Sequence, residues 1–332
     1  MPVSVIIKTL NEERRIAEAI GSALAALPTG AGEVIVADSG STDRTVDIAS
    51  HYPVKVVQLT APAQPSCGVG PQLGFQYSQF EYICLIDGDM LLDPIFLREA
   101  RAFLDAHEKI AGVTGHVVEA AVDNLEFAGR VARKSPEKRV GAIDRMNGGG
   151  LYRRAALKDI GYFSDRNLHS FEEFDLGVRL RDRGWGLHRL DRSFVVHYGH
   201  TINSYRLLLR RWQTKYLFGM GELLRGAIGK PYWRKILEEL PELKLWAAVY
   251  IWWIAIALVL ITSPNKLAAL AAAVLSVAGV AGLMGWRRKS MALGLYAVVA
   301  WWFHAAALPV GFLRPRRSPA DWIESRLLPN ET

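Results

Sequence analysis

An α/β domain on a mostly parallel sheet, followed by interfacial and then membrane-crossing helices, is the architecture this sequence predicts. Three observations carry that reading. Short β-branched runs alternate with helical stretches over residues 1–202; basic and apolar residues mix through 203–243; and within 244–313 three runs hold no Asp, Glu, Lys or Arg. A disordered or fibrous chain is excluded, because half of the 332 residues are apolar and can bury a core large enough to offset chain entropy.

The apolar runs at 3–7, 34–37, 54–59 and 82–86 are bounded by polar residues or Gly and separated by helical patterns at 12–27 and 42–50. Strands alternating with helices pair in parallel, since each crossover helix packs back on the sheet. A further helix-like stretch covers 151–160. Before it, Gly148-Gly149-Gly150 either shapes the acceptor side of a cleft or is a plain connection.

Between 204 and 243, Arg206, Arg210, Arg211, Lys215, Arg225, Lys230, Arg234 and Lys235 are interleaved with Leu, Trp, Tyr and Phe. Such a segment suits a headgroup layer. The uncharged runs 245–265, 267–286 and 290–313 each have the roughly 20 residues that a helix needs to cross hydrocarbon. Arg287-Arg288-Lys289 and the group Arg314, Arg316 and Arg317 flank opposite ends of the third run, so both cannot face the cytosol if it crosses once. Pro309 is a candidate break. A hairpin turning at 262–265 with residues 287–289 cytosolic is the reading, and the third run's path stays open. Residues 314–332 read as a polar tail.

The net charge of +7 is spread along the chain and then crowds around the apolar runs, which points to a membrane surface and away from nucleic acid. Cys67 and Cys84 have neither a CxxC spacing nor a zinc-type His pair, so no disulfide scaffold or structural zinc is indicated. The opening residues lack the charged leader and apolar core of a signal peptide, and the expectation is a cytosolic amino-terminal domain on the inner, cytoplasmic membrane.

Ligands of a parallel sheet bind beyond the carboxyl ends of its strands, where loops and helix amino-termini converge. Three such ends carry carboxylates: Lys8-Thr9-Leu10-Asn11-Glu12, Asp38-Ser39-Gly40-Ser41-Thr42-Asp43 and Asp87-Gly88-Asp89. Asp38 and its followers suit both capping of the next helix and contact with a base or ribose. Asp87 and Asp89, one residue apart after a buried strand, repel unless a cation lies beside them, and Mg2+ or Mn2+ is the economical answer. Glu172 and Glu173 open a helical pattern between bulky apolar residues, where a carboxylate can take a proton near neutral pH and act as general base. His197 and His200 follow another apolar run and are candidate metal or phosphate contacts. The glycines of 68–74 miss the dinucleotide spacing, and there is no P-loop, so hydride transfer is excluded.

Taken together and in this order, the segments 3–12, 34–43, 87–89 and 172–176 resemble family-2 glycosyltransferases of the GT-A fold. The resemblance implies an inverting transferase using a nucleoside-diphosphate sugar and a divalent cation, Mg2+ or Mn2+. It implies nucleoside contacts from Thr9, Asn11, Glu12, Asp38 and Asp87, a metal on Asp87 and Asp89 with His197 near it, and catalysis by Glu173 with Glu172 beside it. Where the family commonly has Arg-Asn, this chain has Pro71-Gln72, and Arg210-Arg211-Trp212-Gln213 lacks the order of the processive QxxRW motif. Single-sugar transfer to a hydroxyl of a lipid-linked saccharide is therefore expected, with membrane lipids as partners. A polyprenyl-phosphate acceptor and a binding protein without turnover are the alternatives.

Overall fold

The computed structural model describes residues 2–27, 32–120, 139–198 and 203–329. The chain divides into two compact units, one of Met1–Ile202 with Pro315–Thr332 and one of Asn203–Arg314.

In the first unit the strands are β1 (Val3–Thr9), β2 (Gly32–Asp38), β3 (Lys55–Leu59), β4 (Tyr82–Asp87), β5 (Met90–Leu92), β6 (Ile110–Glu119), β7 (Gly141–Ile143), β8 (Gly150–Arg153), β9 (Gly186–His197) and β10 (Ser325–Leu328). The helices are α1 (Ile16–Ala26), α2 (Thr45–Ser50), α3 (Val69–Tyr77), α4 (Phe96–Ala106), α5 (Arg154–Asp159) and α6 (Glu172–Asp182). One sheet runs β10-β3-β2-β1-β4-β8-β6-β9-β5, with β7 paired to β9. Strands β3, β2, β1 and β4 are parallel, as are β6 and β9, and the remaining pairings are antiparallel. The sheet is therefore mixed, more so than the strand-helix alternation predicts.

Why the parallel strands read as unbroken apolar runs is clear from their two covered faces. Val5, Ile7, Val34 and Val36 pack with α1 and α4 on one side, while Ile6, Ile35, Ala37 and Val57 pack with α3 and α5 on the other. The expected helix at 151–160 is instead β8 followed by α5. β8 lies between β4 and β6, and interior pairing outweighs the helical preference of the sequence. Helices expected from 12 and 42 begin later, at Ile16 and Thr45, because the residues before them tie two loops together.

The tail is a correction. Residues 314–332, expected as a polar extension, return to the sheet: β10 pairs antiparallel with β3, from Ser325↔Leu59 to Leu328↔Val56. Ile323 is fully buried, and its backbone exchanges hydrogen bonds with the Gln76 amide. Arg166 reaches Glu324 at 2.9 Å, and Arg316 pairs with the buried Asp165. The tail thereby covers the edge of β3.

The second unit contains α7 (Ser204–Gln213), a 3-10 turn (Tyr216–Phe218), α8 (Gly219–Ala227), α9 (Trp233–Glu239), α10 (Glu242–Thr262), α11 (Lys266–Arg287) and α12 (Met291–Phe312). The last three are long and apolar enough to cross a membrane. Pro309 does not break α12, which runs through it.

Candidate active site

Strand register brings the first side chains together. In the parallel pairing of β1 with its two neighbours, Thr9 stands opposite Asp38 and Lys8 opposite Asp87. β1 is also where the strand order reverses, between β2 and β4, so a crevice opens at these carboxyl ends.

One wall of the crevice is a pair of loops laced by hydrogen bonds. Asn11, in the left-handed region at φ 58°, donates its amide to Ser41 Oγ at 2.8 Å and accepts the Thr42 amide on Oδ1 at 2.8 Å. The Glu12 amide donates to Thr45 Oγ1 and the Glu13 amide to Asp43. Asp38 is fully buried; it accepts from the Gly40 and Ser41 amides, each at 3.0 Å, and from Gln58 Nε2 at 3.2 Å. Its first role is thus to build the turn that ends β2. Thr9 Oγ1 is buried without a hydrogen-bond partner. A polar atom left so in a crevice invites a ligand atom. Gly88 leaves that hydroxyl room, since a Cβ there would meet it at 2.8 Å.

The aspartate pair is split. Asp87 faces Lys8, whose Nζ lies 3.2 Å from Oδ1. Asp89 turns to the end of β9, where His197 Nε2 is 3.3 Å from Oδ2 and Nδ1 is 2.7 Å from Glu119 Oε2. The register explains the trio, because His197 stands opposite Met90 on one side and Glu119 on the other. Burial lowers the affinity of His197 for a proton, but the two carboxylates overcome it and raise its pKa to about 9. Burial lifts the Asp87 carboxyl above its ordinary range against the pull of Lys8.

Among the described residues no group of three His, Cys, Asp or Glu donors is assembled into a metal site. The expected set of Asp87, Asp89 and His197 is divided because Lys8 neutralises the first carboxylate and a protonated imidazole the second. Asp89 and His197 remain adjacent, and carboxylate oxygen with imidazole nitrogen is a donor set suited to Mg2+ or Mn2+. His200 lies outside the described residues.

The opposite wall is the start of α6. Phe171, at φ 67°, turns the chain so that Glu172 and Glu173 begin the helix. Glu172 Oε1 is 3.4 Å from Lys8 Nζ, so one ammonium joins Asp87 to the helix start. Burial would lower the Lys8 pKa, but Asp87, Glu172 and Glu173 hold it well above its ordinary value, and it is charged throughout the physiological range. Glu173 accepts the Gly148 amide on Oε1 at 2.7 Å. Burial first, and then the charge of Glu172, raises its pKa to about 7. The triglycine is no loose connection. A Cβ at Gly149 would meet Leu85 O at 2.1 Å, and one at Gly150 would meet Val113 O at 2.6 Å, so only glycine lets this turn pack on the sheet beneath Glu173.

Behind the wall, Asp175 and Arg179 form a buried pair at 2.7 Å, and the guanidinium also donates to Tyr162 O and Phe163 O. Gln72, at a position where the sequence departs from its resemblance, is buried and accepts the Phe163 and Ser164 amides. It holds that same loop.

Lys8, Glu119 and Gly148 are site residues that no motif assigned a role. Lys8 had a visible signal, a cation ending an apolar strand; Glu119 had none, because its meaning depends on the pairing of β6 with β9.

Comparison with known proteins is consistent with this geometry. The family model described as "Glycosyl transferase family 2" matches residues 4–161. EpsE of Bacillus subtilis is 30% identical over 202 residues, covering 58% of this chain and 70% of that protein. The poly(ribitol-phosphate) beta-N-acetylglucosaminyltransferase TarS of Staphylococcus aureus is 29% identical over 184 residues, 52% of this chain. The match spans only 31% of the length of TarS. Among solved structures, the mannosyltransferase PcManGT of Pyrobaculum calidifontis, in complex with GDP-Man and Mn2+, aligns with a TM-score of 0.58 at 19% identity, covering 92% of this chain and 86% of that one. The fold is GT-A, as the sequence predicts.

Proposed function

The chain belongs to glycosyl transferase family 2, and from that premise we propose that it is an inverting transferase moving one sugar from a nucleoside diphosphate to a hydroxyl of a lipid-linked saccharide. The observation that carries the reading is the span across Lys8, which sets Asp87 of the donor side 3.2 Å from the ammonium and Glu172 of the acceptor side 3.4 Å from it.

On the donor side, the orphan hydroxyl of Thr9 and the laced loops of Asn11, Glu12 and Asp38 would hold the nucleoside. Asp89 with His197 would hold Mg2+ or Mn2+, Asp87 lying one residue away. When bound, the cation would supply positive charge to the departing diphosphate. Lys8 adds a fixed positive charge beside the same motif, where a low-dielectric wall strengthens it.

On the acceptor side, Glu173 is the general base. An acceptor hydroxyl attacks the anomeric carbon as the bond to the diphosphate breaks, and the hydroxyl proton passes to Glu173. Its pKa of about 7 matches that task. Glu172, tied to Lys8, keeps Glu173 at the start of α6 and is a positioning residue. A base is needed for a hydroxyl and not for an ionised polyprenyl phosphate, so the buried Glu173 favours the saccharide acceptor. TarS, by its name, transfers N-acetylglucosamine to a polymer, which accords with a saccharide or polymer acceptor. Three apolar helices and the basic segment before them support a seat on the inner face of the cytoplasmic membrane, with the catalytic domain in the cytosol.

The test is release of nucleoside diphosphate by the detergent-solubilised protein from a panel of UDP- and GDP-sugars with Mn2+. Release from one donor, abolished in Glu173→Gln while that donor still raises the Tm, supports the assignment. Binding with no release by the parent chain would leave a nucleotide-sugar-binding protein instead.

A further inference from the structure

The chain leaves the catalytic sheet once and comes back to it. Residues before 199 and residues 315–329 share one sheet through the pairing of β10 with β3, and Ile323 is buried in it. A soluble sheet cannot straddle a bilayer, since its backbone and charged groups would meet hydrocarbon. Whatever crosses the membrane between these segments must therefore cross an even number of times. Three helices of crossing length stand there, so one of them does not cross.

The contacts within the second unit single out α12. It is the least apolar of the three and the most buried within the protein. Its second half packs along α7, the 3-10 turn and α8, the basic amphipathic segment. The approach is close: a Cβ at Gly221 would meet Leu308 O at 2.1 Å, and one at Gly311 would meet Phe218 O at 2.0 Å. Arg314 reaches the buried Glu222 at 3.0 Å, which fixes the end of α12 beside α8. Mid-helix, Trp301, Trp302 and His304 would lie at the bilayer centre if α12 crossed, whereas Trp favours the interface and His is costly in hydrocarbon. Basic groups flank both of its ends, Arg287-Arg288-Lys289 before and Arg314, Arg316 and Arg317 after.

α10 and α11 behave differently. Trp252 donates to Ser276 Oγ at 3.2 Å, and these two residues are equally far in sequence from Pro264, as in an antiparallel hairpin. The first turns of α10 meet only the middle of α12, with Trp246 stacked on His304 and Tyr250 donating to Ala305 O at 2.7 Å.

We propose that α10 and α11 cross the bilayer as a two-helix hairpin. α12 lies along the headgroup layer on the catalytic side, completing with α7 and α8 a platform whose partner is the lipid surface. This rests on the membrane reading above, and the two can fail separately. Single cysteines at the exposed positions Glu108, Pro264, Arg288 and Asp321 of the full chain are probed with a membrane-impermeant maleimide in sealed right-side-out and inverted vesicles, the parent chain setting the background. Glu108→Cys, Arg288→Cys and Asp321→Cys are expected to label from one face and to lose labelling from the other; Pro264→Cys does the reverse. Labelling of Arg288→Cys from the face opposite Asp321→Cys would mean that α12 crosses and would overturn the proposal, as would opposite faces for Glu108→Cys and Asp321→Cys. Release of the parent chain from membranes by alkaline carbonate, measured first, would sink the membrane reading and this inference with it.

Discussion

Glu173 holds its proton more tightly than an ordinary carboxyl, with a pKa raised from 4.5 to about 7, chiefly by burial. Folding therefore favours its protonated form. The stability linked to this group is fully present below pH 4.5 and is lost as pH rises through about 7. Replacing it by Gln should flatten the decline of Tm over that window. In turnover the sign is opposite, because a base works only when ionised: kcat/KM should rise through pH of about 7, and Glu173→Gln should lower it by roughly 10²-fold or more. Lys8 is the second residue to probe. Lys8→Met strands Asp87 and Glu172 without their common cation and should cost about 2 kcal/mol, a figure kept low because both lie partly open to water. The deficit should shrink in urea titrations at low pH, as Asp87 takes up a proton, and Lys8→Arg should restore most of the stability. Both residues were visible in the sequence, but only Glu173 came with a role. A lysine at a strand end acquires meaning from the register that sets it against Asp87, and no local pattern encodes that register.

At the scale of elements, β10 is a short strand that carries more than its length suggests. Ile323→Ala should cost about 2–4 kcal/mol, since a fully buried branched side chain leaves a cavity. The measurement is the midpoint of chemical unfolding followed by a probe in the catalytic domain. No loss of domain stability would mean that the tail is a loose appendage. Four β strands and the helix order were legible because their apolar runs are covered on both faces. The tail was not, because four residues of mixed polarity give no period, and their pairing with β3 is decided some 270 positions away in the chain. Likewise β8 was read as helix, because an Arg- and Ala-rich stretch prefers helix until two neighbouring strands claim its backbone.

For the whole molecule, the donor side makes a prediction about the cation. Mn2+ and a nucleoside diphosphate together should raise the Tm more than the sum of their separate effects, because each completes the other's binding site. Asp89→Asn should abolish that surplus and His197→Ala should reduce it; an unchanged surplus in Asp89→Asn would remove the metal from this site.

By itself the sequence determined what is local. It set the alternation of strand and helix, the acidic groups at three strand ends, the carboxylates opening α6 and the uncharged runs that suit hydrocarbon. Tertiary structure alone decided which partners those groups have: Lys8 for Asp87, a protonated His197 for Asp89 and Glu119, and β3 for the tail. The reason is physical. Apolar period and charge are properties of a segment, whereas pairing is a choice among distant segments, settled by the register of the sheet that packs them together.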